Sequence, residues 1–127
     1  MRAWKANDLL PIDVERYAKS SAISENMEHQ AFLAAIRAEI ATFLEAFPEI
    51  LFAVLYGSAV EGMAFRDLDI ALWLDRSQVP AEGDLEFEFR IESELRKRLS
   101  VVVDVRVVND APLLFRYHVS CGIPLLV

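Results

Sequence analysis

Three aspartates in this chain lie where a carboxylate is costly to bury. Asp67 and Asp69 open the alternating stretch DLDIALWLD, and Asp104 lies among valines in SVVVDVRVV. Residues two apart on a strand project from the same face, about 6 to 7 Å apart, so Asp67 and Asp69 repel each other unless a cation lies between them. Carboxylate oxygens suit Mg²⁺, which is often shared with substrate phosphates. The pair predicts a divalent-metal site, and a solvated acidic strand entrance is the alternative.

Asp104 bears on this choice, because a lone carboxylate among valines needs a partner. One explanation is an ion pair with Arg106, which shares its strand face. The other is that Asp104 lies across a sheet from Asp67 and Asp69. Three carboxylates would then converge on one or two metal ions, as a nucleotidyl-transfer site requires.

Gly57 and Ser58 end the apolar run ILFAVLY, and a short helix over residues 59–64 is expected to follow. The N–H groups at such a helix start, together with the Ser58 hydroxyl and the small Gly57, can bind phosphate. The lysine of a P-loop is missing, and a Gly-Ser pair after a strand is most often an ordinary turn. The pair alone is weak support for a phosphate site.

The composition limits the classes of protein. The chain has 127 residues, 54% of them hydrophobic, which predicts a single domain with a core. Its net charge of −7 argues against long nucleic acid as a partner and favours a basic protein. No membrane span or secretory signal is expected, and the single Cys121 has no internal disulfide partner. These features predict a cytoplasmic protein.

The hydrophobic pattern predicts the elements that position the aspartates. Helices are expected over residues 10–21, 27–47, 84–100 and 111–121, with Asp110 capping the last, and strands over residues 50–56, 67–75, 101–109 and 123–127. One face of the second strand is predicted to carry Leu68, Ile70, Leu72 and Leu74, and the other Asp67, Asp69, Ala71 and Trp73. The order predicts an α+β fold, a small mixed β-sheet of three to four strands with helices packed mainly on one face. We expect one domain over residues 1–127, with N-terminal helices over about 1–47 and a catalytic core over about 48–127.

Residues 57–69, GSAVEGMAFRDLD, resemble the G-S-x-x-x-G…D-x-D signature of the DNA polymerase β-like nucleotidyltransferases. The third carboxylate in VVVDVRVV and the segment NDAPLLFRYHVSCG are similar to the minimal nucleotidyltransferase (MNT) domains of that superfamily. The resemblance covers roughly residues 30–125. The chain departs from the pattern at Arg66, where serine is common, and at Glu61, in a loop that often carries arginine.

The resemblance implies the nucleotidyltransferase fold and transfer of AMP from ATP to a hydroxyl with two Mg²⁺ ions. Asp67 and Asp69 would hold the ions and the triphosphate, and Asp104 would complete the metal site and help to deprotonate the acceptor. Gly57 and Ser58 would bind phosphates. Arg66 would either bind phosphates as well or pair with Asp67 and block the site.

Small MNT proteins are typically paired with a HEPN-domain toxin, and the resemblance implies an antitoxin that adenylylates a tyrosine of this partner. One alternative is a small-molecule nucleotidyltransferase that acts as a homodimer. Another is a non-catalytic antitoxin that neutralises its partner by binding.

Overall fold

The computed structural model describes residues 22–57, 67–99 and 101–126. Its elements follow in the order α1 (Ala22–Leu44), β1 (Ile50–Tyr56), β2 (Asp67–Leu74), α2 (Asp84–Leu99), β3 (Val102–Val107), α3 (Leu113–Ser120) and β4 (Ile123–Leu126), with a 3₁₀ turn over Ala81–Gly83. This is the predicted order, although α1 ends three residues before the predicted end at Phe47. The helices predicted over residues 10–21 and 59–64 lie outside the described residues.

The four strands form one mixed sheet in the order β3-β2-β1-β4. β1 pairs antiparallel with both β2 and β4, whereas β2 and β3 are parallel. A parallel pair needs a crossover connection, and α2 lies in that connection. The α+β fold predicted from the sequence, with a mixed sheet of three to four strands, is confirmed.

The main core lies between one face of this sheet and helices α1 and α2. As predicted, β2 turns one set of alternate side chains into this core, where they are almost completely buried: Leu68, Ile70, Leu72 and Leu74. α2 contributes Phe87, Ile91, Leu95 and Leu99, which recur at helical spacing along one face. Each such side chain stabilises the fold by roughly 1.5 to 3 kcal/mol. Two of the three described helices therefore pack on one face of the sheet.

The opposite face of the sheet carries a smaller cluster with α3. Its buried members are Val54, Tyr56, Ala71, Val108 and Val119. The other set of β2 side chains, Asp67, Asp69 and Trp73, projects from this same face. The fold thus places the acidic residues of β2 on the less covered side of the sheet.

Side chains of α2 occupy the outer edge of β3. Three polar residues, spaced four apart on the helix, bind the backbone of alternate β3 residues. The Glu88 carboxylate accepts from the Val107 N–H (2.7 Å), the Glu92 carboxylate accepts from the Val105 N–H (3.0 Å), and Arg96 donates to the Val103 carbonyl (3.0 Å). These bonds satisfy edge groups that would otherwise need water or another strand.

The predicted capping role of Asp110 is wrong. α3 starts after Pro112, and no side-chain hydrogen bond from the described residues caps it. The Asp110 carboxylate instead accepts from Arg76 (3.0 Å), which also binds Asp84 (2.6 Å). A guanidinium is a stronger partner for a carboxylate than a neutral backbone N–H, so Asp110 joins the turn after β2 rather than the helix.

Candidate active site

The pairing of β2 with β3 makes Asp69 and Asp104 direct neighbours. The two strands are parallel and about 5 Å apart, and both side chains lie on the face opposite the main core. Asp67 is two residues earlier on the same face of β2, opposite Val102 of β3. All three aspartates singled out from the sequence therefore share one region of the sheet.

Asp104 also contacts Arg106 on its own strand. The Arg106 Nε lies 3.4 Å from the Asp104 carboxylate, and the side chains are 60% and 41% exposed respectively. An exposed pair of this kind contributes about 0 to 1 kcal/mol. The charge of Asp104 raises the pKa of Arg106. The two explanations considered for Asp104, an ion pair and a neighbour across the sheet, therefore hold together.

The surroundings of Asp69 disfavour the charged form of its carboxylate. Burial raises its pKa, and the charges of Asp104 and Asp67 raise it further. Arg106 and His118 act in the opposite direction but do not reverse the shift. A cation placed beside Asp69 would relieve this crowding, because an opposite charge stabilises the ionised carboxylate.

Gly57 brings the backbone at the end of β1 against the Asp69 carboxylate. Its φ is +84°, in the left-handed region that disfavours other residues. A Cβ at this position would run into the Asp69 carboxylate oxygen. Glycine is therefore favoured at position 57 both by the left-handed backbone of the turn and by the closeness of this backbone to the Asp69 carboxylate. Ser58 and Arg66, the other residues predicted to bind phosphate, lie outside the described residues.

Tyr56 is a site residue that the sequence reasoning missed. It pairs with Asp69 across β1 and β2, and its ring meets Phe115 and His118 edge to face (centroids 5.8 and 5.9 Å apart). Burial and the charges of Asp69 and Asp104 raise its pKa to about 12. The phenol therefore stays protonated at neutral pH beside two carboxylates. The signal available in the sequence was its position directly before Gly57, at the end of the apolar run ILFAVLY.

Trp73 shares the face of Asp69 but lies at the other end of β2. Its ring stacks on Phe52, with centroids 4.1 Å apart and planes 16° from parallel. Both rings pack against the smaller cluster on this face. Trp73 therefore belongs to the packing of the sheet.

The donor chemistry of the three aspartates fits Mg²⁺, but their side chains are not arranged as a finished metal site. Within residues 22–57, 67–99 and 101–126, no three His, Cys, Asp or Glu side chains are grouped to hold an ion. The Asp104 carboxylate is engaged by Arg106 instead. Binding of a cation at Asp104 must therefore compete with that weak, exposed pair.

A groove of about 550 Å³ adjoins the site on the β3 side. Its described lining comes from α2, from β3 and from the residues around the start of α3. These include Leu85, Glu88, Glu92, Asp104, Arg106, Pro112 and Phe115. Asp104 lines the groove and also neighbours Asp69, so the groove leads to the aspartates.

The sequence matches the Polymerase beta, Nucleotidyltransferase family over residues 38–126. The match takes in all four strands and the three aspartates, and it covers well over half of the chain. The chain therefore belongs to this family, as the resemblance predicted. No curated protein matches the sequence significantly.

A solved structure with a similar fold is a crystal structure of a mutant of the toxin-antitoxin MntA-HpeT. The TM-score is 0.54, the sequence identity is 21%, and the match covers 66% of this chain and 65% of that chain. The likeness therefore spans less than two thirds of the neighbour and shows the fold. Among the described helices, none is long and apolar enough to cross a membrane.

Proposed function

We propose that this protein is a Mg²⁺-dependent nucleotidyltransferase that transfers AMP from ATP to a hydroxyl of a partner protein. The observation that carries the proposal is the pairing of Asp69 with Asp104, with the Gly57 backbone against Asp69. Membership of the polymerase beta nucleotidyltransferase family supports the class of reaction. We further propose an antitoxin whose acceptor is a HEPN-domain toxin, and the fold shared with MntA-HpeT supports that setting.

In this proposal Asp67, Asp69 and Asp104 would hold Mg²⁺, which would supply positive charge to neutralise the triphosphate. Gly57 allows the backbone that enters the phosphate loop to lie close to Asp69. Tyr56, whose pKa is raised to about 12, stays uncharged and so adds no further negative charge near Asp69 and Asp104.

Asp104 lies at the mouth of the groove and takes the proton of the acceptor hydroxyl. The acceptor oxygen then bonds to the α-phosphorus as the bond from that phosphorus to the pyrophosphate oxygen breaks. Pyrophosphate leaves, and the partner carries AMP. Positioning and charge neutralisation supply most of the rate in such transfers.

A second candidate function is neutralisation of a partner by binding alone. The contact of Arg106 with Asp104 favours it, because a permanent ion pair there would oppose metal binding. The absence of a ready metal group among the described side chains points the same way. On this reading the fold serves as a contact surface.

Calorimetric titration with ATP, with and without Mg²⁺, separates the two candidates. We expect Mg²⁺-dependent binding by the wild-type protein and at least about a tenfold loss in Asp69→Asn, since charge-assisted contacts of this kind stabilise by 1.5 to 3 kcal/mol or more. Glu86→Gln, which removes an exposed charge on α2, is the matched control and should bind as the wild type does. A wild-type protein that binds no ATP with Mg²⁺ would contradict the first candidate.

Transfer is then measured with ATP labelled at the α-phosphate, as label retained on a partner protein. We propose a cytoplasmic location for the protein, because such a reaction uses cytoplasmic ATP. The exposed free thiol of Cys121 fits the reducing conditions there.

A further inference from the structure

The groove beside Asp104 combines an acidic wall with apolar walls. Glu88 and Glu92 of α2 and Asp104 of β3 supply three carboxylates, and Arg106 is the basic residue among the described lining. Leu85 and Phe115 supply apolar surface on either side. The groove therefore presents a net negative charge between hydrophobic surfaces.

The two acidic side chains of α2 are held in place. One oxygen of Glu88 accepts from the Val107 N–H, and one oxygen of Glu92 accepts from the Val105 N–H. These bonds fix both carboxylates along the β3 edge beside the groove. The second oxygen of Glu92 also lies 3.4 Å from Arg96 of the same helix, a half-exposed pair that a ligand cation can share or displace. A positioned carboxylate loses less entropy on pairing with a ligand cation than a free surface glutamate does.

The helices on both sides of the groove expose large apolar side chains. Between 70% and 82% of the surface of each is exposed: Leu85, Phe89, Leu113, Leu114 and Tyr117. Leu85 lines the groove itself, and the other four lie on the helices that form its sides. Exposed hydrophobic side chains clustered near a charged groove are typical of an interaction surface. The surface and the groove together fit a ligand that is both apolar and positively charged.

We propose that this groove binds a short cationic and apolar peptide segment of the acceptor protein, and that the segment delivers the acceptor hydroxyl to Asp104. Lysine or arginine of the segment pairs with Glu88 and Glu92, and its apolar side chains pack against Leu85 and Phe115. The inference rests on the proposed function for the role of Asp104. Binding of the segment itself requires neither ATP nor metal.

The net charge of the protein favours a cationic peptide segment over a second copy of the chain as the occupant of the groove. Each copy carries a formal charge of −7, so two copies repel each other at an acidic groove. A cationic segment gains from the same field, which raises both its association rate and its affinity. Charge complementarity therefore favours a basic partner.

Fluorescence anisotropy of labelled synthetic peptides tests the inference with the full-length protein. One peptide carries a tyrosine flanked by leucine and lysine, a second has glutamate for each lysine, and a third has serine for each leucine. We expect the first to bind and the other two to bind at least about fivefold more weakly, because rim charges and apolar contacts each contribute on the order of 1 kcal/mol.

Matched variants assign the binding to the groove. A Glu88→Gln, Glu92→Gln double variant removes both charges while the amide oxygens can still accept from β3, and we expect it to weaken the first peptide about tenfold. Leu85→Ser should also weaken it, whereas Leu51→Ser, at an exposed leucine of β1 outside the groove lining, should not. Thermal melts establish that each variant is folded.

Three outcomes would overturn the inference: no binding of the cationic peptide, equal binding of the acidic one, or binding that the groove variants leave unchanged. Self-association of the wild-type protein that Leu85→Ser abolishes would assign the groove to a second copy instead. Peptide binding without Mg²⁺-dependent ATP binding would contradict the proposed function but leave the peptide site standing. ATP binding without peptide binding would contradict the peptide site but leave the proposed function standing.

Discussion

Asp69 and Asp104 are paired residues of two parallel strands, and both project from the sheet face that α3 only partly covers. Two carboxylates in this relationship repel each other, and Asp67 adds a third charge nearby. A sequence selected only for the stability of its fold would avoid such a cluster of carboxylates. The aspartates that are proposed to bind metal therefore lower the stability of the folded protein.

Replacing Asp69 with asparagine should stabilise the protein while it removes the site. The change keeps the shape of the side chain and deletes a charge that burial and two neighbours disfavour. We expect the melting temperature to rise by no more than about 2 to 5 °C, because Asp69 is only partly buried and water screens part of the repulsion. Circular dichroism melts measure this. The same change at Asp67, which is exposed, should have a smaller effect, and a lower melting temperature for Asp69→Asn would contradict the electrostatic account.

The stabilisation by Asp69→Asn should depend on pH. The pKa of Asp69 is raised above its ordinary value of 3.8, so the folded state binds the proton more tightly than the unfolded state. Wild-type stability therefore falls as pH rises from that value through the folded pKa, and the loss is complete above it. The free-energy difference between the variant and the wild type should grow over this window and then become constant.

Urea unfolding at a series of pH values measures this difference without adding salt, which would screen the charges. The pKa of Glu88 is also raised, chiefly by burial, but that contribution is common to both proteins and cancels in the comparison. A difference that shrinks as pH rises would show that Asp69 is stabilised in its charged form.

Much of the fold could be predicted from the sequence, because hydrophobic periodicity is a local property. The alternation in DLDIALWL assigned each β2 side chain to the correct face, and helical periodicity placed α2 where the structure has it. Asp67, Asp69 and Asp104 could be placed on strands for the same reason. Membership of the nucleotidyltransferase family was predicted from the resemblance of residues 57–69 and of the segment around Asp104 to the family signature, and it is confirmed.

The sequence could not predict which residues of neighbouring elements lie opposite each other, because this depends on the register in which the elements pair. The sequence did not determine which residues of β1 and β3 lie opposite Asp69, and so Tyr56, its partner on β1, was missed. Asp110 looked like a helix cap because the distant Arg76 could not be foreseen as its partner. The polar stripe of α2, formed by Glu88, Glu92 and Arg96, likewise gave no sign that it would bind the edge of β3.

That stripe gives a prediction about Glu92. Glu92→Ala leaves the Val105 N–H at the covered edge of β3 without its acceptor, and we expect a loss of about 1 to 3 kcal/mol in the free energy of unfolding. Glu92→Gln keeps an acceptor oxygen and should lose much less. Hydrogen exchange at the Val105 amide checks the mechanism directly. Equal stabilities for the two variants would show that the carboxylate charge, not the hydrogen bond, is what matters.

Asn109 extends the sheet with its side chain. Its amide accepts from the Leu74 N–H and donates to the Leu74 carbonyl, both at 2.9 Å, and so continues the ladder past the end of β3. We expect Asn109→Ala to destabilise by about 1 to 3 kcal/mol, since two backbone groups lose their partner. Gln78→Ala, which removes exposed amide contacts to Pro48 and Asp75, is the control and should lose less.

Asn109→Asp provides a test of the donated bond. An ionised carboxylate cannot donate to the Leu74 carbonyl, so at neutral pH this variant should be at least as unstable as Asn109→Ala. A protonated carboxyl can donate, so the pKa of the new group is raised in the folded state and stability should recover as pH falls through it. A variant that is equally stable at both ends of that range would show that the donated bond contributes little.

Gly57 links the backbone to the proposed site, and Gly57→Ala should affect both stability and binding. The φ of +84° is strained for alanine, and the added Cβ would run into the Asp69 carboxylate. We expect a loss of about 1 to 3 kcal/mol in the free energy of unfolding, together with weaker Mg²⁺-dependent ATP binding because Asp69 must move. Denaturant unfolding and calorimetry measure the two effects.

Gly83→Ala is the matched control for this prediction. A Cβ at Gly83 would meet only the tip of the Val79 side chain, at 3.2 Å, and Gly83 lies in the 3₁₀ turn away from the aspartates. We expect a change within about 1 kcal/mol and unaltered ATP binding. If Gly57→Ala were destabilised but bound ATP as the wild type does, the close approach to Asp69 would be a feature of the turn alone. If both properties fell together while Gly83→Ala kept them, the glycine would act on the site through the carboxylate that it touches.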